Sequence, residues 1–268
     1  MPPVPSTARQ AAAQAASTAR QAVAGWWGIV RLGAQLLELA STRSTWGRET
    51  WRTLAQHIVQ DTAPMLTWFT VLTTLISVVV IRIVIVTALS YGLTQYALEM
   101  VVRVLVLELI PLTAALFAAL RCTIPNAAEV LALRTQGHWA AAVEAGSDPW
   151  RTEVLPRMVS GLFSALMLAA VSCVVTLVVA YLSVYGPVVS GLEGYTRIVG
   201  HVFNPAVSLI LGLKIAFLGV AVALVPMASV LSAAPARRRS TSPELSGLVR
   251  MFVVILLIEV ASLVGNYY

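Results

Sequence analysis

Residues 158–185 form a continuous apolar run of 28 positions without a single charged side chain. A run of about 20 apolar residues is long enough to cross a bilayer as a helix. Four further runs have the same character and hold between one and three charges each: residues 64–90, 98–120, 202–234 and 251–268. The sequence therefore predicts an all-α polytopic membrane protein with about five transmembrane helices.

The composition excludes a soluble domain. Hydrophobic residues make up 58% of the chain and charged residues 11%, whereas soluble proteins carry about 25% charged residues. A membrane β-barrel needs alternating segments of about ten residues, and these runs are continuously apolar. Helices also satisfy their own backbone hydrogen bonds in lipid.

The arginines predict the orientation of the spans. They are concentrated in three segments, which precede the first span or join the second to the third and the fourth to the fifth: Arg9, Arg20, Arg31, Arg43, Arg48, Arg52; Arg121, Arg134, Arg151, Arg157; and Arg237, Arg238, Arg239, Arg250. The positive-inside rule places these segments and the N-terminus in the cytoplasm, which leaves the C-terminus outside. Because the net charge of +6 is scattered over three segments, it does not indicate nucleic-acid binding.

The chain divides into residues 1–62, a cytoplasmic arm with interfacial helices, and residues 63–268, the transmembrane domain. The first 25 residues lack the apolar core of a signal peptide. They repeat a six-residue motif at residues 6–11 and 17–22, which is compatible with an Ala-rich helix or with a partly disordered arm.

Residues 25–42 have helical amphipathic spacing. One side carries apolar residues and the other polar residues: Ile29, Leu32, Leu36 and Leu39 against Arg31, Gln35, Glu38 and Thr42. Trp26 and Trp27 stand at its start, and indoles favour the headgroup layer. The pattern predicts an interfacial helix on the cytoplasmic leaflet; a helix packed on protein is the alternative. Residues 46–60 continue this amphipathic pattern and lead into the first span at Pro64.

Charged residues inside the spans are costly and often functional. Glu99 and Arg103 are four residues apart and can pair. Arg82 and Glu259 need partners or a polar cavity, and Lys214 can snorkel to the headgroups if it lies near a helix end. These groups serve either as ion pairs that fix helix packing or as contacts to lipid headgroups.

A stripe of small residues follows the third span at Gly161, Ala165 and Ala169. Small residues at this spacing allow close contact between helices. The contact is either across a dimer or within one chain.

The chain offers no catalytic, cofactor-binding or metal site of its own. Its only lysine is Lys214, inside an apolar run, so no P-loop can be built. Cys122 and Cys173 are expected to be free thiols, and His57, His138 and His201 are scattered. An intramembrane enzyme would have to use His201, Ser208 or Ser160, and no nucleophile motif surrounds them.

The polar connection between the second and third spans contains residues that are typical of helix ends. Pro125-Asn126 predicts a helix break at the membrane exit. Gly146 suits a helix C-cap, Asp148 an N-cap and Pro149 the first helical position. The residues predict helix, turn and helix, which fits either a docking element or an ordinary polar loop.

Motifs in residues 107–161 resemble the MlaE/YrbE family, the permease subunits of ABC-type lipid transporters linked to MCE proteins. The matching residues follow the family's order along the chain: Glu108, Pro111, Arg121, Ala128-Glu129, Arg134, Gly146, Asp148, Pro149 and Pro156-Arg157. Leu107 and Ile110 replace the family's Arg and Gly. Gly137-His138 replaces a Glu-Gln pair, which implies either an altered ATPase partner or one half of a heterodimeric permease.

The resemblance implies a coupling helix within residues 122–153 that touches a cytoplasmic ABC ATPase, which binds the ATP and magnesium. The implied coupling residues are Arg134, Glu144, Gly146, Asp148, Pro149 and Arg157. It further implies a second permease copy, an MCE ring, a phospholipid substrate between the first, second and fifth spans, and a bacterial inner-membrane location. A non-transporting scaffold and, less favoured, an intramembrane enzyme are the alternatives.

Overall fold

All regular structure in the described part of the chain is helical. The structure is a computed structural model that describes residues 25–42, 47–93, 96–232 and 243–267. Five of its helices are long and apolar enough to cross a membrane: Thr50–Ser90, Ala97–Thr135, Trp150–Tyr185, Pro205–Leu231 and Gly247–Asn266. These findings confirm the predicted all-α polytopic class and the five spans. The N-terminal repeat and most of the loop after residue 232 lie outside the described residues.

Eight helices can be numbered within the described ranges. They are α1 (residues 25–41), α2 (Arg48–Ser90), α3 (Ala97–Thr135), α4 (His138–Glu144), α5 (Trp150–Tyr185), α6 (Leu192–Val202), α7 (Pro205–Leu231) and α8 (Pro243–Tyr267). A 3-10 turn, Val189–Gly191, precedes α6. Helix α2 runs without a break through Pro64 and joins the amphipathic N-terminal segment to the first span.

Helix α1 shows the predicted two-sided pattern. Ile29, Leu32 and Leu36 are buried in the main core cluster, against residues of α5 and α7. The polar side that begins at Arg31 is exposed. Trp27 is 70% exposed, beside other exposed apolar residues of α1. One face of α1 therefore packs on protein, while the exposed indoles remain suited to a headgroup layer.

Helix α5 is the centre of the bundle. It packs along α2 and also contacts α3 and α7, and α8 packs on α7. A Cβ atom added at Gly161 would lie 2.7 Å from Thr123 of α3, and one added at Gly219 would lie 2.8 Å from Leu162 of α5. Ala165 and Ala169 are buried in the same bundle. The small-residue stripe thus brings helices together within one chain, which decides between the two predicted roles.

Three π-helical turns each end two residues before a proline. They are Val102–Leu109, Ala119–Thr123 and Trp150–Val154, followed by Pro111, Pro125 and Pro156. In each case the amide before the proline bonds to the carbonyl five residues back: Ile110 to Leu105, Ile124 to Ala119, and Leu155 to Trp150. The wider turn accommodates the missing N–H and the ring of the proline.

The predicted helix break at Pro125-Asn126 is therefore wrong. Helical structure continues from the π-turn to Thr135, so α3 extends further from the apolar part of the span than predicted. The connection to α5 begins only at Gln136, and Gly137, with φ +82°, starts α4.

Hydroxyl pairs join α2 to α5 at two levels. Thr62 and Ser164 lie 2.8 Å apart between their hydroxyl oxygens, and Ser77 and Thr176 lie 3.0 Å apart. All four side chains are buried. In an apolar surrounding such a bond leaves no polar group unsatisfied, and it fixes the register of the two helices.

A tyrosine cluster holds α6 against the end of α5. The rings of Tyr181, Tyr185 and Tyr195 pack with centroids 5.2–6.3 Å apart. The Tyr195 hydroxyl donates to the Leu177 carbonyl at 2.7 Å. Burial, and then the neighbouring Tyr185, raise the pKa of Tyr195 to about 12. The hydroxyl therefore keeps its proton, and this contact, at neutral pH.

Candidate functional site

A buried ion cluster joins α3, α7 and α8. The Lys214 ammonium lies 2.9 Å from the Glu259 carboxylate and also bonds to the Glu108 carboxylate. The Lys214 side chain is only 1% exposed, and the two glutamates are 14% and 15% exposed. Charges at this depth are stable only when they are paired.

The third donor of Lys214 meets a backbone carbonyl beside the proline of α3. Lys214 donates to the Leu107 carbonyl at 3.0 Å. In a regular helix that carbonyl would accept from residue 111, but Pro111 has no N–H. An ammonium has three donors, and Glu108, Glu259 and Leu107 use all three. The site depends on Pro111 and Lys214 together.

Polar atoms on α8 extend the cluster. Glu259, Ser262 and Asn266 follow helical spacing on one side of α8. The Asn266 amide lies 3.4 Å from the second Glu108 oxygen. One oxygen each of Glu259, Ser262 and Asn266 is buried without a hydrogen-bond partner among the described residues. The cluster therefore retains hydrogen-bonding capacity for a water molecule or a polar group of a ligand.

An apolar groove of about 460 Å³ opens beside this cluster, between α7 and α8. Lys214 and Ser262 form part of its wall, and its other lining residues, among them Leu213, Phe217 and Leu257, are apolar or glycine. Such a groove suits a hydrocarbon chain. It lies between the fourth and fifth spans, whereas the resemblance implied a cavity between the first, second and fifth.

The charged residues predicted inside the spans lie in three different settings. Glu99 and Arg103 form the predicted pair, with a carboxylate–guanidinium distance of 3.0 Å. Glu259 finds its partner in Lys214. Lys214 does not snorkel, because α3, α7 and α8 enclose its side chain. Arg82 is exposed on α2, and no carboxylate of the described chain pairs with it.

The connection between α3 and α5, residues 136–149, has the predicted helix–turn–helix shape. Gly146 has φ +78°, and the amides of Gly146 and Ser147 bond to the carbonyls of Val143 and Ala142, both at 3.0 Å. This is a Schellman motif, which closes α4. The Asp148 carboxylate accepts from the Trp150 amide at 3.1 Å. Pro149 then begins the next helix, as the spacing predicted.

Helix α4 projects from the bundle. None of its residues is buried, and Val143 is 57% exposed. Trp139 of α4 packs edge-on against Trp150, with ring centroids 5.8 Å apart. This indole pair holds the projecting turn at a fixed angle to α5. These tryptophans are not among the predicted coupling residues. An aromatic residue on each side of the Gly-Ser-Asp-Pro turn could have indicated the contact.

Two predicted coupling residues are anchored inside the chain. Arg134 donates to the Leu231 carbonyl of α7 at 2.8 Å, which satisfies a free carbonyl at a helix end. Arg157, whose side chain is 10% exposed, pairs with Glu153 and lies 3.7 Å from Glu129. These arginines fix the position of the connection, whereas Glu144 and Asp148 remain exposed.

The remaining motif residues divide by burial. Pro111 and Pro156 are buried beside π-turns, and Arg121 is exposed.

A further polar cluster was missed by sequence reasoning. The Asp61 carboxylate of α2 accepts from the Ser160 hydroxyl at 2.7 Å and the Asn126 amide at 3.2 Å. It ties α2, α3 and α5 together at the end of the bundle that carries the connection. Asn126, thought to mark a helix break, instead serves this contact.

A comparison with protein families identifies the family of this chain. The family model described as Permease MlaE matches residues 54–264, which include the ion cluster and the whole α3–α5 connection. The chain belongs to the MlaE permease family. This confirms the resemblance seen in residues 107–161. A comparison with curated proteins gives no match.

Membership in the MlaE permease family assigns the chain to transport. It is a multi-pass membrane permease, a transport subunit. Permeases of this family work with an ATPase and other components of an ABC transporter.

Proposed function

We propose that this MlaE-family chain is the membrane subunit of an ATP-driven transporter that moves phospholipids between membranes of the bacterial envelope. The single observation that carries this proposal is the α3–α5 connection. It projects from the bundle, is closed by caps and is anchored by Arg134 and Arg157. A rigid projecting helix is the shape that can transmit motion from a partner protein.

The partner at this connection is an ABC ATPase, which binds and hydrolyses ATP with magnesium. Gly146, Asp148 and Pro149 set the shape of the docking element, and the exposed Glu144 offers a charge to the partner. Movement of α4 would pass to α5 through the Trp139–Trp150 contact. It would pass to α7 through the bond from Arg134 to Leu231.

The substrate is a glycerophospholipid or a similar long-chain lipid. Apart from Arg82, the outer faces of the spans in α2, α7 and α8 are largely apolar, and the groove between α7 and α8 has the character of an acyl-chain site. A sugar or peptide would need a dense set of polar side chains, which these faces do not offer. One chain of five spans encloses too little space for a two-tailed lipid, so a second permease chain completes the pathway beneath an MCE assembly.

Purification of the full chain from its native membrane in mild detergent tests this proposal. We expect an ABC ATPase and an MCE protein to co-purify, together with phospholipid, as identified by mass spectrometry. Co-purification of the proteins without phospholipid would favour a non-transporting scaffold. Absence of any ATPase would contradict the proposal.

The orientation is tested separately. From the arginine distribution we propose that the N-terminus and the α3–α5 connection lie in the cytoplasm and the C-terminus outside, in the bacterial inner membrane that the family resemblance implies. A cysteine added after Tyr268 should react with an impermeant thiol reagent in intact spheroplasts. Cys122 and Cys173 are buried or partly buried, so the unmodified chain is the control. Labelling only after lysis would reverse the orientation.

A further inference from the structure

The buried ion cluster contains two acidic side chains and one basic side chain. Among the described residues, Lys214 is the only basic group within ion-pair distance of Glu108 or Glu259. If all three side chains were ionised, the cluster would carry one negative charge in excess. An unpaired charge is strongly unfavourable at this depth, so the cluster needs one further positive charge.

The three helices that form the cluster do not supply that charge. The charged residues nearest to Glu108 on its N-terminal side in α3 are Glu99 and Arg103, which pair with each other. Helix α7 contains no charged residue besides its lysine. On α8 the charged residue nearest to Glu259 is Arg250. It lies nine residues earlier, which is about 13.5 Å along the helix.

The adjoining helices α5 and α6 do not supply it either. From Met158 onward α5 has no charged residue. Its titratable groups there are the Cys173 thiol, which contacts the Val106 carbonyl of α3, and two tyrosines near its end. Thiols and phenols do not carry a positive charge. The charged and titratable groups at the surface of α6 are exposed: Glu193, Arg197 and His201.

The hydrogen bonds of the cluster are also one donor short. Glu259 Oε2 and Asn266 Oδ1 are buried acceptors without a donor among the described residues, and the Ser262 hydroxyl between them is likewise unpartnered. Ser262 is 8% exposed and lies on the same side of α8. One hydroxyl hydrogen can serve one of the two acceptors. A water molecule would supply the missing donor but not the missing positive charge.

We propose that the cluster binds one proton, held on Glu259 Oε2. The carboxyl group then donates to the Ser262 hydroxyl, and Ser262 donates to Asn266 Oδ1. The Asn266 amide donates to Glu108 at 3.4 Å, and Glu259 Oε1 accepts from Lys214 at 2.9 Å. A single proton therefore balances the charge and completes the hydrogen bonds. This inference concerns the chain itself and does not depend on what the permease transports.

Glu259 is the better carrier of this proton. Both oxygens of Glu108 accept hydrogen bonds, from Lys214 and Asn266, and such bonds stabilise an ionised carboxylate. Only one oxygen of Glu259 does so. A metal cation fits poorly, because Mg²⁺ and Ca²⁺ take about six or more oxygen ligands. Here three unpartnered oxygens lie on one side of one helix, beside an ammonium that would repel the metal.

Infrared spectroscopy of the full chain in lipid nanodiscs tests the proposal, because a protonated carboxyl group has a C=O band distinct from that of a carboxylate. Spectra are recorded at neutral and alkaline pH, in H₂O and in D₂O. The samples are the natural chain, Glu259→Gln, Ser262→Ala and Glu99→Gln. Glu99→Gln is the matched control, since Glu99 also lies in a span but pairs with its own arginine.

We expect the natural chain to show a protonated carboxyl band at neutral pH that shifts in D₂O and disappears at alkaline pH. This band should be absent in Glu259→Gln and unchanged in Glu99→Gln. Ser262→Ala should keep the band but shift it, because the carboxyl hydrogen loses its acceptor.

Denaturant unfolding in mild detergent is an independent measurement. Free glutamates of the unfolded chain are ionised at neutral pH, so the folded chain binds one proton more than the unfolded chain. Stability therefore falls as the pH rises, until the folded cluster also loses its proton. The folding equilibrium constant of the natural chain should fall about tenfold per pH unit from about pH 5 upward, relative to Glu259→Gln. The amide that Glu259→Gln introduces offers Ser262 the same donor without titrating, so this variant is expected to fold.

Three results would overturn the proposal. The first is that the natural chain and Glu259→Gln have the same carboxyl bands and the same pH dependence of stability. The second is a band that Ser262→Ala leaves unmoved, which would place the proton on another group. The third is stabilisation by sodium or magnesium at constant pH without a carboxyl band, which would show that a metal cation balances the charge.

Discussion

Replacing Lys214 with methionine is expected to destabilise the protein by about 3–5 kcal/mol, the usual cost of removing one partner from a buried ion pair. The substitution keeps the length of the side chain and removes only its charge and donors. It leaves the carboxylates of Glu108 and Glu259 buried and facing each other. It also leaves the Leu107 carbonyl, which Pro111 cannot serve, without its donor.

Thermal unfolding in detergent, followed by tryptophan fluorescence and by monodispersity in size exclusion, measures this effect. Leu209→Met is the control, since Leu209 lies on the same helix and is 72% exposed. Adding Glu108→Gln and Glu259→Gln to Lys214→Met removes the unpaired charges, and this triple variant should regain most of the lost stability. Natural stability in Lys214→Met alone would contradict the buried cluster.

Gly146→Val is expected to abolish or strongly weaken association with the ATPase. A Cβ atom at Gly146 would meet open space, so the cost comes from the backbone: φ is +78°, which costs a β-branched residue about 1–2 kcal/mol or more. The Schellman motif would open, and α4 would lose its angle to α5. Asp148→Ala removes the bond to the Trp150 amide and should cost about 0.5–2 kcal/mol of local helix stability, with a weaker loss of binding.

Co-purification of the ATPase and stimulation of its activity are the measurements for this prediction. Gly200→Val is a matched control: Gly200 also faces open space, but it lies in helix α6 and lacks a positive φ. All three variants should insert in the membrane and give the natural elution profile. If both connection variants bind and stimulate the ATPase normally, residues 136–149 are not the docking element.

Local sequence determined much of this protein. Uninterrupted apolar runs can satisfy their backbone in lipid only as helices, so the five spans followed directly. The buried side of α1 followed from its periodicity, and the second end of the α3–α5 connection followed from Gly146, Asp148 and Pro149. Each of these features depends on residues within about two helical turns of one another. For the same reason the Glu99–Arg103 pair could be predicted.

Only the tertiary structure decided the features that join distant segments. Glu108, Lys214 and Glu259 are separated by 106 and 45 residues, and periodicity says nothing about which spans are neighbours. Arg134 reaches Leu231 across 97 residues, and Asp61 collects donors from two other helices. The break predicted at Pro125 was wrong because a π-turn absorbed the proline, in a helix whose packing favours continuation. A charge in a span shows that a partner is needed, whereas helix packing decides which group supplies it.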